Sequence, residues 1–196
     1  MKIFFHFKTC SLKAFSMPEV ILSVFILSVG LVSVVAVMSG SLRHSLTSRD
    51  EIIASGLAQE GIELVRNNRD NDFTVAGHNG FTHFGVNRHC RVDWDDLVTA
   101  DLTCYASKTL DDYRLVYSGG LYSNTEGSGK YYRYIYVRFR ETAGTDRATV
   151  RSFVFWENSV ATAAATLASF ANNGTTSSCN LEHACVFTET FLTAWK

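Results

Sequence analysis

The sequence predicts an α+β protein: a long N-terminal helix, with a membrane half and an amphipathic half, packed on an antiparallel β-sheet head. Three observations predict it. Residues 20–42 carry no charged side chain, enough for a bilayer-spanning helix, which takes about 20 apolar residues. Leu42, Leu46, Ile53, Leu57 and Leu64 then recur at steps of four and seven, which places them on one helical stripe. Beyond residue 73 this period is lost, and short runs of aromatic and β-branched residues alternate with polar ones between glycine-rich turns.

The N-terminus comes first. Lys2, Lys8 and Lys13 precede Glu19 and no acidic residue does. By the positive-inside rule the N-terminus stays cytoplasmic and the remainder is exported. Glu19 stands at the edge of the apolar run, where a carboxylate in lipid is costly without a partner. As an ordinary secretory signal the segment is poor, because the long apolar run lacks a small-x-small cleavage site followed by a polar domain start.

One helix is expected from Pro18 to about Asn68, some 50 residues or roughly 75 Å. Pro18 suits the first turn, where its missing N–H is not needed. The first half is apolar all round, as a membrane or bundle-core helix must be. In the second half Arg43, Arg49, Asp50, Glu60, Glu63 and Arg66 fall mostly off the apolar stripe, which is expected to pack on the head. Gly30, Gly40, Gly56 and Gly61 weaken the helix by up to about 1 kcal/mol each relative to alanine; in lipid they also permit close helix contact. Asn67-Asn68-Arg69-Asp70-Asn71-Asp72 supplies turn formers to end it.

In the head, residues 77–89 read as a loop, with short strands expected at 91–94, 102–107 and 113–117. Ser118-Gly119-Gly120 and residues 124–130 read as turns. The clearest pair is a hairpin of 131–141 with 148–158, joined through Gly144. Tyr131, Ile135, Val137 and Phe139 alternate there with Tyr132, Tyr134, Tyr136, Arg138 and Arg140, interrupted by Arg133. One face of this strand is expected in the core and the other in solvent. Val150, Val154 and Trp156 share a face of its partner. Residues 160–168 suit either a strand or a short helix, 172–178 read as a loop, and 186–195 as the last strand.

Composition narrows the function. A net charge of −1 over 196 residues excludes a strongly basic nucleic-acid binder, though not a local basic patch. Of the five cysteines, Cys10 precedes the apolar run. Cys90, Cys104, Cys179 and Cys185 remain, an even number in an exported domain. Three pairings are possible, and proximity favours Cys90–Cys104 and Cys179–Cys185. Buried free thiols are the alternative; zinc is a remoter one, since no C-x-x-C pair is present.

The stretch Ala14-Phe15-Ser16-Met17-Pro18-Glu19, with the apolar run behind it, resembles the class III signal of type IV prepilins and pseudopilins. In that family a short basic leader ends in Gly or Ala; a Phe follows, with Glu at the fifth mature position. Residues 1–14 would be the leader, 15–42 the transmembrane or filament-core helix, 43–69 the amphipathic continuation and 70–196 the head. Ala14 departs from the commoner Gly. The run Ala58-Gln59-Glu60-Gly61-Ile62-Glu63-Leu64-Val65-Arg66-Asn67 is also similar to minor pilins.

The resemblance implies cleavage between Ala14 and Phe15, N-methylation of Phe15, and an assembly role for Glu19 facing the terminal amine of a neighbouring subunit. It implies a structural subunit, a minor pilin or pseudopilin, of a type IV pilus-like or type II secretion-like filament. Its partners would be other pilin subunits, the prepilin peptidase, the inner-membrane assembly platform and the membrane. It would be a single-pass membrane protein with an exported head, and would join a cell-surface filament on assembly. The alternative is an exported enzyme or binding domain on an uncleaved signal anchor.

No catalytic constellation, cofactor site or metal site is assigned, and the chain is expected not to be an enzyme. Ser118-Gly119-Gly120 lacks the spacing of a nucleophile elbow. His78, His83 and His89 read as a solvated loop rather than as metal ligands. Asp70-Asn71-Asp72 and Asp93-Trp94-Asp95-Asp96 supply too few ordered oxygens for a calcium loop. The tyrosines and arginines of 131–140 suit a half-buried strand better than a nucleic-acid surface.

Overall fold

The computed structural model describes residues 16–78, 80–82, 88–94, 103–105, 109–125, 127–140, 147–156, 179 and 184–193. One helix, α1, runs Met17–Asp72. Among the described residues seven strands follow: β1 Arg88–Arg91, β2 Thr103–Tyr105, β3 Arg114–Ser118, β4 Leu121–Ser123, β5 Tyr131–Arg140, β6 Arg147–Trp156 and β7 Cys185–Thr193. The chain divides into two compact units, Met1–Leu46 and Thr47–Lys196.

β5 is the spine of the head. Along one edge it pairs with β6 over its whole length, from Tyr131↔Trp156 to Arg140↔Arg147. β7 lies beyond β6. The other edge of β5 takes two partners in turn: β3 at Tyr131 and Tyr132, then β1 opposite Ile135, Tyr136 and Val137. β2 pairs with β1 and β4 with β3, and every pairing is antiparallel. The 131–141 and 148–158 hairpin of the sequence reading is therefore present over the described residues, with β6 beginning one residue earlier than expected, at Arg147.

The β3–β4 hairpin turns through Gly119 and Gly120, at φ 62° and 91°. Positive φ at both central residues is what a two-residue hairpin loop of type I′ demands, and glycine adopts it without steric cost. The turn was legible in sequence; β4, only three residues long, was not. β1 also begins earlier than expected, at Arg88. The expected elements at 142–146 and 160–168 lie outside the described residues.

One face of the sheet packs on the later part of α1. Ala54, Leu57 and Ala58 meet Leu115, Tyr131, Val154 and Trp156. Ile62, Leu64 and Val65 meet Ile135, Val137, Val150 and Leu192. The small residues Ala54, Ala58 and Gly61, spaced four and three apart on the buried side of α1, let the helix come close to the strands. This corrects the expected stripe in part: Ile53, Leu57 and Leu64 pack on the head, but Leu42 and Leu46 are exposed and the fully buried residues begin at Ala54.

The opposite face is covered at Tyr132 and Tyr134, which corrects the expectation of a solvated side there, while Arg138 further along β5 is exposed. Tyr132, Tyr134, Phe153 and Phe155 are buried beneath Leu110, Tyr113, Cys179 and Cys185. Tyr132 stacks on Phe155 with centroids 5.1 Å apart, and Tyr113 meets Tyr134 edge-on at 5.4 Å. A single 3-10 turn, Leu110–Tyr113, supplies part of the cover. The Cys179–Cys185 disulfide, with Cα atoms 5.0 Å apart, supplies another part. Arg133 does not interrupt the alternation of β5. It keeps its place on the helix-facing side and is buried there.

Candidate functional site

The first turn of α1 is closed by the Ser16 carbonyl, which accepts from the N–H groups of Glu19 at 3.0 Å and Val20 at 3.2 Å. Pro18 sits inside that turn without loss of a hydrogen bond. Glu19 is exposed there, at the helix end where a carboxylate is favoured. Ala14 and Phe15 lie outside the described residues.

Beyond Glu19 the side chains of α1 are apolar and exposed on every side, with Val20, Ile21, Leu22, Val24, Phe25, Ile26 and Leu27 all in the open. A helix apolar all round has no water-facing side. Three of the serines in this run do not break that character. Ser23, Ser28 and Ser33 donate their hydroxyl hydrogens to the carbonyls of Val20, Phe25 and Val29 at 2.8–2.9 Å. Polar groups satisfied within the segment are what an apolar surrounding requires. The helix is long and apolar enough to cross a membrane.

In the second unit three acidic residues of α1 tie it to the head. Asp50 pairs with Lys130 and accepts from the Tyr131 hydroxyl at 2.9 Å. Burial, and then this carboxylate, push the Tyr131 phenol well above its ordinary range. Glu60 Oε1 lies 3.1 Å from Nη1 of Arg133. That contact is an ion pair by distance, without hydrogen-bond alignment; Nη2 of Arg133 donates to the Val92 carbonyl at 2.8 Å. Asp72, at the end of α1, accepts from the Thr82 N–H at 3.1 Å and meets His78 Nδ1 at 2.5 Å. Burial alone would raise the Asp72 carboxyl, but hydrogen bonds from His78 and Thr82 together outweigh it and hold it below its ordinary value.

In sequence Asp50 and Glu60 fall mostly off the apolar stripe of the helix, and Arg133 interrupts the alternation of β5. The usable signal was Arg133, a charge on the otherwise apolar side of β5. A guanidinium there demands a partner from whatever covers that side.

The other residues singled out in sequence have ordinary roles. His78 closes the end of α1. His89 hydrogen-bonds the Tyr134 hydroxyl, and burial disfavours its charged form. His83 lies outside the described residues, and among these no group of three or more His, Cys, Asp or Glu is placed to hold a metal. Asp93 accepts from the backbone N–H groups of Trp94 and Asn124. Tyr131, Tyr132 and Tyr134 are core residues. Cys90 is disulfide-bonded and stands opposite Cys104 in the β1–β2 register.

No family model, curated protein or solved structure matches this chain. What the fold and the helix define is an α+β protein with one N-terminal segment able to cross a membrane.

Proposed function

We propose that the chain is a structural, non-enzymatic subunit of a type IV pilus-like or type II secretion-like filament, a minor pilin or pseudopilin. The supporting observation is one continuous helix with two surfaces. Its first part is exposed and apolar on every side behind a lone carboxylate, Glu19, in the first turn. Its later part is built into the core of the head. A surface of the first kind is stable only in lipid or among similar helices. The prepilin-like signal joins both environments: the subunit waits in the membrane and then enters a filament whose core is made of such helices. Processing by a prepilin peptidase would expose the Phe15 amine and methylate it.

Mass spectrometry of the protein purified from its native host tests this reading. A mature chain beginning at methylated Phe15 is expected. An intact N-terminus in the membrane fraction would favour an anchored exported domain instead.

A further inference from the structure

In the second unit the β3–β4 hairpin points toward the end at which α1 enters. Ala54 and Leu57 of α1 meet Leu115, Tyr131 and Trp156, whereas Ile62 and Val65, further along, meet Ile135, Val137 and Val150. Forward along α1 is thus forward along β5 and, since β3 is antiparallel to β5, backward along β3. From Leu115 to the turn at Gly119 is about 13 Å of strand. From Ala54 back to Thr47, where the unit begins, is about 11 Å of helix. The hairpin turn therefore reaches as far as the Thr47 end.

A row of tyrosines leads out to this turn. The Tyr131 hydroxyl donates to Asp50 at 2.9 Å. Tyr122 meets the Tyr131 ring edge-on at 5.8 Å, and Tyr117, its cross-strand partner, lies 5.0 Å beyond. Tyr131 is buried, but Tyr117 is 63% exposed and Leu121, beside the turn, 55% exposed. The row starts in the core and ends with an aromatic ring and an aliphatic side chain in the open. Arg49 is exposed at the same end of the unit, near enough for its charge to act on the Tyr122 and Tyr131 phenols. The neighbouring Asp50 is taken by Lys130 and Tyr131.

The length of chain leading into this end shows what it meets. The uncharged run ends at Leu42, and only residues 43–46 separate it from the second unit. As helix they span about 6 Å, which matches one headgroup layer of a bilayer, about 5–8 Å thick.

We infer that the tip of the β3–β4 hairpin is a membrane-surface anchor that seats Tyr117 and Leu121 in the phospholipid headgroup layer. Tyrosine favours that layer because its ring is apolar while its hydroxyl stays wet. Lipid phosphate is an acceptor that the Arg49 guanidinium suits. The inference rests on α1 crossing a membrane and is independent of the filament reading.

The test uses the full chain in nanodiscs of phosphatidylglycerol and phosphatidylcholine in equal parts. Photoreactive benzoylphenylalanine replaces Phe25, Tyr117, Leu121 or Phe191 in turn, and intact mass is read after irradiation. All four side chains are exposed, so each replacement spares the core. Phe191 pairs with Thr149, toward the end of β6 remote from Trp156, and serves as the control. Phospholipid adducts are expected at Phe25, Tyr117 and Leu121, with loss of the adduct at Phe191. Adducts at Phe25 without any at Tyr117 and Leu121 overturn the inference and leave the membrane span standing. Equal yields at Leu121 and Phe191, or cross-links from the tip to a second copy of the chain in place of lipid, also overturn it. Absence of lipid adducts at all four positions overturns the inference and the membrane span together.

Discussion

Gly61 of α1 lies so close to Ser152 of β6 that a Cβ at Gly61 would stand 2.5 Å from the serine Oγ and 3.0 Å from Cδ of Arg133. The helix and the sheet touch at a point where only a hydrogen fits. Gly56, five residues earlier on the same helix, has nothing within 4 Å of the equivalent position.

The two glycines are therefore expected to respond in opposite directions. Gly56→Ala should stabilise the head by about 0.5–1 kcal/mol, the helix-propensity gain alone. Gly61→Ala has the same gain set against overpacking of about 1–3 kcal/mol, and a net loss of about 1 kcal/mol is expected. Ser152 Oγ is buried without a partner, so Ser152→Ala should relieve part of that loss. Denaturant unfolding of the three variants and the double variant checks this; equal effects at Gly56 and Gly61 would contradict the close contact.

Arg133 and Glu60 form the second link between helix and sheet. The Arg133 side chain is 1% exposed and that of Glu60 41%. Removing the acid leaves a guanidinium buried against the core, a loss that reaches several kcal/mol for a fully buried pair. Solvent at Glu60 screens the pair, so Glu60→Gln is expected to cost about 1–2 kcal/mol. Arg133→Met should recover much of that in the Glu60→Gln background. A double-mutant cycle with no coupling would show that the pair contributes nothing.

Asp72 gives the acid limb of stability a defined cause. Its carboxyl is held below its ordinary value of 3.8 in the folded protein. A depressed folded pKa contributes stability that is fully present above the ordinary value and is lost as pH falls through the folded one. The stability difference between wild type and Asp72→Asn is thus expected to be level above about pH 5 and to shrink below about pH 4. Unfolding midpoints measured across that range check it; a difference independent of pH down to about 2 would refute it.

The Cys179–Cys185 bridge links cysteines six residues apart and packs against the aromatic layer formed by Tyr132, Tyr134, Phe153 and Phe155. For a loop of this length chain-entropy arguments give about 2 kcal/mol, the loss expected for the paired serine variant. Peptide mapping without reductant, on protein from the native host, should recover the two cysteines as one linked species.

Glu19→Gln tests the proposed filament role. The variant keeps the side chain's size but not its charge, so an incoming terminal amine in an apolar filament core would lose its partner. Cleavage and membrane insertion are expected to persist while incorporation into sheared filaments drops about tenfold or more. Wild-type incorporation would leave Glu19 as a cap of its own helix.

Much of this molecule is determined by sequence alone because the controlling physics is local. The apolar run of residues 20–42 permits a long helix whatever follows it. The alternation in β5 and β6 pairs them as a hairpin, and Gly119-Gly120 is a two-residue turn by its own chemistry. The long helix itself and the Cys179–Cys185 bridge were legible for the same reason.

The tertiary structure decided what residues distant in the chain do to one another. It covered the Tyr132–Tyr134 face with Leu110, Tyr113 and the Cys179–Cys185 bridge, so that the first half of a strand expected to face water on one side is buried on both. It moved the buried side of α1 onto Ala54, Ala58 and Gly61, small residues with weak hydrophobic signal but the size a close approach needs. Sequence periodicity records which side of an element is apolar. It carries no record of what will be packed against that side, because the partner's shape and charge enter only when the chain closes on itself.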